Sequence, residues 1–106
     1  MIVYNITIKI DRAIEKEWLE WQFNEHIPEI MNTGMFLNYN FYRLLEQDDS
    51  EGLTFVLQYH AATIENYNTY ISKFAPALRE KANRRWKDGF IAFRTIMESL
   101  PRAGSA

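Results

Sequence analysis

The spacing of apolar residues predicts strands at four places in the chain. Residues 2–10 alternate strictly, with Tyr4 and four isoleucines on one face and mostly polar residues on the other. A period of two among β-branched residues is typical of a strand. The spacing of apolar residues predicts three more strands, over residues 36–45, 53–61 and 90–97. The acidic stretch 46–52 is expected to join the second and third as an antiparallel hairpin.

The first segment of helical spacing follows strand one. Asp11 is its predicted N-cap, and the helix is expected to run from about Ala13 towards Ile27. Pro28 lacks a backbone N–H group and disfavours helical geometry in the preceding residue, so we expect the helix to kink or end at Ile27. One further turn is expected before Gly34 closes the helix as a C′ residue.

The apolar residues of this first helix form two stripes rather than one. Residues 14, 18 and 21 lie on one line, and residues 19, 23, 27 and 30 lie on another. A surface helix needs one buried face only. The second stripe therefore predicts contact with a partner, with the C-terminal segment of the same chain, or with a pocket.

The second segment of helical spacing follows strand three. Thr63 is its predicted cap, and residues 67, 70, 71 and 74 have clear amphipathic spacing. Pro76 is expected to interrupt the helix, and Asp88-Gly89 to stop it. The order β-α-β-β-α-β predicts an α+β, ferredoxin-like fold, with two helices on one face of a four-stranded antiparallel sheet. We expect one domain over 1–99 and a flexible C-terminal tail over 100–106.

The sheet face away from the helices is predicted to be too apolar for contact with water. Val56, Ile91, Phe93 and Met97 fall on that face, and strand two is aromatic on both sides. Large exposed apolar patches mark interfaces. We therefore expect a homodimer in which two sheets pack face to face through this surface across a two-fold axis.

Composition excludes several classes of protein. The net charge of −2 makes nucleic acid an unsuitable partner, because phosphate binding needs a basic face. Without cysteine, disulfides and thiolate metal sites are excluded. The first residues do not have the pattern of a signal peptide, and no apolar run is long enough to cross a membrane, so a cytoplasmic protein without membrane contact is expected.

Two longer motifs carry a resemblance to a known family. They are Trp18-Leu-Glu-Trp21-Gln-Phe-Asn-Glu-His26-Ile-Pro28-Glu-Ile30 and the pair Ala75-Pro76-Ala-Leu78-Arg79 and Phe90-Ile-Ala-Phe93-Arg94-Thr95. With the opening Met1-Ile2-Val3-Tyr4-Asn5, the chain resembles bacterial proteins grouped only as domain of unknown function family 4286. That resemblance implies a dimeric α+β barrel and no particular activity.

A wider resemblance rests on the aromatic first helix that ends in His-x-Pro. This pattern is similar to that of ethyl-tertiary-butyl-ether-degradation-type proteins and antibiotic-biosynthesis monooxygenases. It implies a pocket between the first helix and the sheet, and some such relatives oxidise or cyclise aromatic substrates without a metal. A shared fold does not by itself transfer function.

His26 is the candidate catalytic residue. An imidazole has a pKa near neutrality, so His26 could act as a general base on a ligand in this pocket. It could equally stabilise the C-terminus of the first helix through the helix dipole. Both interpretations remain open from the sequence.

The remaining candidate ligand-binding residues are aromatic or charged. Arg43 and Arg94 interrupt apolar strands, so each either pairs with a carboxylate, Glu25 being one candidate, or faces an anionic ligand. The aromatic candidates could equally be ordinary core residues. The full set is Trp18, Trp21, Glu25, Tyr59, Tyr67, Arg43 and Arg94.

Neither a metal nor an organic cofactor is expected. Only His26 and Glu29 are usefully spaced, and a divalent metal needs three or four ligands. Phosphate loops and nucleophile elbows are also missing from the sequence. Three functions remain open: binding of a small apolar or aromatic ligand, a cofactor-independent monooxygenase or cyclase with His26 as base, and a non-enzymatic dimeric interaction module.

Overall fold

The computed structural model describes residues 1–101 and has four strands in one antiparallel sheet. The strands are β1 (Ile2–Asp11), β2 (Asn38–Arg43), β3 (Gly52–Ala61) and β4 (Phe90–Glu98). Their order across the sheet is β2-β3-β1-β4, and all neighbours are antiparallel. Both crossovers therefore skip one strand, which confirms the ferredoxin-like prediction.

Two composite helical regions cover one face of this sheet. The first contains a 3₁₀ turn (Arg12–Ile14), α1 (Glu15–Trp21), a π-helical turn (Gln22–His26) and α2 (Ile27–Met31). The second contains α3 (Ile64–Thr69), a π-helical turn (Tyr70–Phe74) and α4 (Ala75–Trp86).

Neither proline ends its helix; of the two outcomes expected at Pro28, an end at Ile27 does not occur, and the further turn expected after it is present. Ile27 keeps helical dihedral angles (φ −59°, ψ −47°), and the helix continues to Met31. Each proline instead follows a π-helical turn, in which the N–H of Ile27 or Ala75 donates to the carbonyl five residues earlier. A π turn is a known way to insert a residue into a helix without ending it.

The first π turn also explains the two apolar stripes. Trp18 and Ile27 lie nine residues apart, so a regular α-helix would place them about 180° apart. Both are buried, at 2% exposure each. The π turn contains one residue more than an α-helical turn, so the residues after it are rotated and the second stripe also faces the core. Only Phe23 of that stripe stays largely exposed, at 55%.

The predicted helix caps have different outcomes. Thr63 is an N-cap, since its hydroxyl accepts a hydrogen bond of 3.1 Å from the backbone N–H of Asn66. Asp11 is not a cap: it ends β1 opposite Gly52, and its side chain makes no capping bond. Gly34, at φ 78°, donates its N–H to the carbonyl of Met31, but it lies one position beyond the expected C′ because the C-cap is Asn32.

Strand β2 is shorter than predicted, although the backbone N–H groups of Leu37 and Leu44, just outside its ends, still donate to carbonyls of β3. Phe36 turns into the core and packs against Tyr70 at 4.9 Å between ring centroids. At the other end, Glu46 adopts a positive φ of 57°, which turns the chain into the hairpin loop. The alternation of apolar residues therefore overestimates the strand by two residues at each end.

The core lies between the helical regions and the facing side of the sheet. That side carries the even-numbered residues of β1 and the odd-numbered residues of β3, which are buried. The opposite face is polar along its two central strands and apolar along β4. Its largest exposed apolar side chains are Tyr42, Ile91, Phe93 and Met97.

Within residues 1–101, no helix is long and apolar enough to cross a membrane. The predicted tail lies almost wholly outside the described residues. Ser99, just before it, is held beside the start of β1, since its backbone N–H donates to the carbonyl of Met1 at 2.9 Å.

Candidate functional site

A cavity of about 40 Å³ lies between the first helical region, α4 and the sheet. Its walls are mainly aromatic and aliphatic side chains, with a few polar groups among them. The lining residues are Ile6, Ile8, Trp18, Trp21, Gln22, His26, Ile30, Leu57, Tyr59, Ala82, Trp86, Phe90, Ala92 and Arg94. Five of the predicted site residues, Trp18, Trp21, His26, Tyr59 and Arg94, are therefore brought together here.

Aromatic contacts fix the helical wall of this cavity. The imidazole of His26 stacks on the indole of Trp21, with ring centroids 4.4 Å apart. The same indole meets Trp86 of α4 edge-on at 5.6 Å. These contacts connect the first π turn to the end of α4, and they limit the orientations open to His26.

Four buried polar atoms have no hydrogen-bond partner within residues 1–101, and all four belong to residues that line this cavity. They are Gln22 Oε1, His26 Nδ1, Tyr59 Oη and Trp86 Nε1. Leaving such a group unpaired costs about 1–3 kcal/mol, so buried polar atoms are normally satisfied. The unpaired buried hydrogen-bonding groups among the side chains of residues 1–101 are therefore concentrated around this one cavity.

The interior of the cavity is uncharged at neutral pH. Burial lowers the pKa of the His26 imidazole to about 4; nearby Glu29 opposes that shift, and Lys81 adds to it. Burial likewise raises the pKa of the Tyr59 hydroxyl far above its ordinary value. Both groups are therefore neutral, and each can donate or accept one hydrogen bond.

Arg94 is the charged exception. It pairs with Ile6 in the β1–β4 ladder, which places it on the helix-facing side of the sheet. Arg94 is also the one exposed residue among those that line the cavity, so the opening lies beside it. None of the ion pairs within the described part of the chain involves Arg94.

Three predicted site residues lie outside the cavity. Glu25 contacts Lys81 at 3.1 Å and does not line the cavity. Tyr67 packs edge-on against Tyr4 at 5.5 Å in a separate aromatic cluster. Arg43 lies 3.6 Å from Asp49 in a half-exposed ion pair next to the hairpin loop.

Gln22 and Trp86 are the two polar lining residues that the sequence analysis missed. Gln22 is 2% exposed and follows Trp18 by four residues. A glutamine on an apolar stripe was the available signal, because an amide at such a position needs a buried partner. Trp86 has an ordinary place on the stripe of α4, so nothing local distinguished it.

The acidic residues near His26 do not form a metal site. Across residues 1–101, no three histidine, aspartate or glutamate side chains are grouped as a metal ion would require. Glu25 and Glu29 both contact the ammonium of Lys81, at 3.1 and 2.7 Å. Their charges therefore join the first helical region to α4.

Residues 1–100 match the family described as Domain of unknown function (DUF4286). The chain belongs to this family. The match extends over both helical regions and all four strands, and it confirms the resemblance carried by the two sequence motifs. No curated protein matches the DUF4286 chain with significant sequence similarity.

Solved structures similar to this DUF4286 domain share its fold at low sequence identity. An EthD (ethyl tert-butyl ether) family protein from Bacillus halodurans is 15% identical, with a TM-score of 0.66 over 94% of this chain and 100% of the other. A dimeric ferredoxin-like protein from an uncultured marine organism is 9% identical, with a TM-score of 0.68 over 96% and 97%.

A third similar structure is from Deinococcus radiodurans and is described provisionally as an antibiotic biosynthesis monooxygenase. It is 13% identical, with a TM-score of 0.68 over 96% of this chain and 95% of the other. At such identities the likeness establishes the ferredoxin-like fold of the DUF4286 domain and nothing about its chemistry.

Proposed function

We propose that this protein binds a small organic molecule in the cavity between the first helical region and the sheet. The observation that carries the proposal is the set of four unpartnered polar atoms, on Gln22, His26, Tyr59 and Trp86. Ligand sites are typically apolar pockets with a few convergent polar groups, and this cavity has that composition.

The volume limits which part of a ligand can be enclosed. About 40 Å³ is room for roughly three water molecules, whereas a cavity that binds benzene measures about 150 Å³. A ligand would thus insert a polar end of a few atoms and leave its remainder at the opening beside Arg94. Binding of a larger ring requires the two helical regions to separate.

Native mass spectrometry of the protein purified from its own host tests this proposal. We expect an added small-molecule mass that disappears in the Gln22→Leu and Trp86→Phe variants, which remove an acceptor and a donor from the cavity. Ser72→Ala is the matched control, because its hydroxyl bonds only to a carbonyl within its own helical region. A bare protein that also fails to bind any member of a metabolite panel would contradict the proposal.

Catalysis by His26 is the second candidate. Its Nδ1 is buried without a partner, and its lowered pKa keeps the ring in the neutral form that can accept a proton. A pKa of about 4 makes a weak base, so a bound ligand would have to raise it. Once the ligand is identified, a His26→Gln variant should bind it with similar affinity and fail to convert it. Undiminished conversion by that variant would exclude His26 as the base.

We further propose that the protein is a homodimer formed through the sheet face away from the helices. Ile91, Phe93 and Met97 lie together on that face of β4, at 58%, 67% and 42% exposure. A row of apolar side chains in water favours association. The dimeric ferredoxin-like protein from a marine organism has the same fold, which is compatible with this arrangement.

Light scattering coupled to size-exclusion chromatography tests the dimer. Phe93→Asp should shift the protein towards a monomer, because it places a charge in the proposed interface. Leu37→Asp is the control: Leu37 is equally exposed, at 63%, but precedes β2 on another part of the surface. A wild-type monomer at micromolar concentration would contradict the proposal.

A further inference from the structure

The charge at the cavity opening restricts the chemistry of the ligand. Arg94 carries the only formal charge among the lining residues, since His26 is neutral and no carboxylate or lysine lines the cavity. Its strand neighbours on the same face, Ala92 and Ile96, are apolar. The guanidinium group is therefore free to bind an anion that enters beside it.

Three other arginines differ from Arg94 because each has a polar partner in the chain. Arg43 contacts Asp49, Arg84 contacts Glu80, and Arg79 donates to the hydroxyl of Tyr4 at 2.9 Å. Within residues 1–101, Arg94 forms no hydrogen bond or ion pair through its side chain. Because Arg94 is exposed at the opening, its guanidinium is hydrated and an incoming anion can reach it without displacing a partner from the described part of the chain.

The polar groups inside the cavity determine which functional group of the ligand can enter it, at the end away from Arg94. Trp86 Nε1 can only donate a hydrogen bond, and Gln22 Oε1 can only accept one, while Tyr59 can do either. A hydroxyl group satisfies this mixture, because it donates and accepts at once. An ionised group would be disfavoured inside, since burial in a small cavity removes its hydration.

We propose that the ligand is a small hydroxylated organic acid, whose carboxylate binds Arg94 at the opening and whose hydroxyl enters among Gln22, Tyr59 and Trp86. This inference rests on the proposed ligand-binding function and specifies its ligand class. It also predicts the orientation of the ligand, with the acid outward and the neutral end inward.

Matched probe pairs test the inference. Glycolate is compared with glycolamide, and lactate with lactamide, because each pair differs in charge but hardly in shape. Binding is followed in ¹H–¹⁵N spectra through the indole N–H of Trp86, identified from a Trp86→Phe variant. We expect the acid of at least one pair to shift that signal at concentrations where its amide does not.

Arg94→Gln should weaken binding of the acid about 10- to 100-fold, the usual effect of losing a charge-assisted hydrogen bond. Arg84→Gln removes the same charge from an exposed pair on α4 and should leave affinity unchanged. Equal binding of acid and amide, unaffected by Arg94→Gln, would overturn the inference while leaving ligand binding intact.

Failure of every acid to bind would also overturn the inference. The native mass spectrum then tests the proposed function separately. A retained neutral molecule would support ligand binding, and a bare protein would contradict both ligand binding and the inference about the ligand class.

Discussion

His26 stacks face to face on Trp21 although the two residues lie five positions apart, with centroids 4.4 Å apart and ring planes 17° from parallel. In a regular α-helix, residues five apart point about 140° away from each other and cannot stack. The π turn between them, in which Ile27 donates to the carbonyl of Gln22, brings them into line. The position of the candidate base therefore depends on this turn.

The neutral, buried state of His26 predicts a pH-dependent stability. Its folded pKa of about 4 lies below the ordinary 6.5, so the unfolded chain binds a proton in this interval and the folded protein does not. Stability is therefore complete above pH 6.5 and falls as the pH drops towards 4, by about 2 kcal/mol between pH 7 and pH 5. Urea unfolding of wild type and His26→Gln at both pH values measures this. An equal loss in the variant would assign the effect to other groups.

Two buried tyrosines should respond in opposite ways to loss of the hydroxyl. Tyr59→Phe removes an unpartnered buried group, so we expect unchanged or slightly increased stability without ligand, by up to about 1 kcal/mol. Tyr4→Phe leaves the partly buried Arg79 without its acceptor and should cost about 1 kcal/mol. Urea unfolding compares the two. A loss on Tyr59→Phe as large as that on Tyr4→Phe would show that the Tyr59 hydroxyl has a stabilising partner in solution.

Lys81 should restrain the helical wall of the cavity more than it stabilises the fold. It joins Glu25 and Glu29 of the first helical region to α4, and because these ion pairs are half-exposed, solvent screens them and they add little to the stability of the fold. We expect Lys81→Met to accelerate amide hydrogen exchange over residues 22–26 and to change β1 little. The control is Arg84→Met, whose lost pair lies within α4. Equal rates of exchange over residues 22–26 in the two variants would show that Lys81 does not restrain this segment.

Two glycines should differ in their tolerance of alanine. A side chain on Gly52 would collide with the backbone carbonyl of Ile10, which cannot move without disturbing the β1–β3 ladder, so we expect a loss above about 3 kcal/mol. Gly34 has open space around it and only its positive φ to maintain, which costs roughly 1–2 kcal/mol in alanine. Thermal unfolding of both variants checks the order; a larger loss at Gly34 would contradict it.

The fold was predictable because its strands and helices differ in hydrophobic period. The alternation from Ile2 to Ile10 and the spacing that begins at Tyr67 each permit one kind of element. The prediction failed where tertiary contacts decide the local geometry. Asp11 has a capping side chain by type, yet it pairs in the sheet with Gly52, and no local pattern reveals that pairing. Pro28 follows a π turn that the usual proline rules do not include.

The candidate site was only partly predictable, for a related reason. Trp21 and His26 drew attention through their residue types, and the fold does bring them together. Glu25 is adjacent in sequence to His26 but contacts Lys81 instead, because successive residues of a helix point in different directions. Gln22 lies on an apolar stripe, four residues after Trp18, and that position was its signal in the sequence; its 2% exposure is what identifies it as a buried lining residue.

The prolines that follow both π turns have a consequence for motion along the helices. A π turn can move along a helix when successive backbone N–H groups change their hydrogen-bond acceptor from the carbonyl five residues earlier to the carbonyl four residues earlier. Pro28 and Pro76 have no amide hydrogen, so that exchange cannot pass them. Each proline therefore blocks movement of its π turn towards the C-terminus, and the first one favours the position of the turn in which His26 lines the cavity.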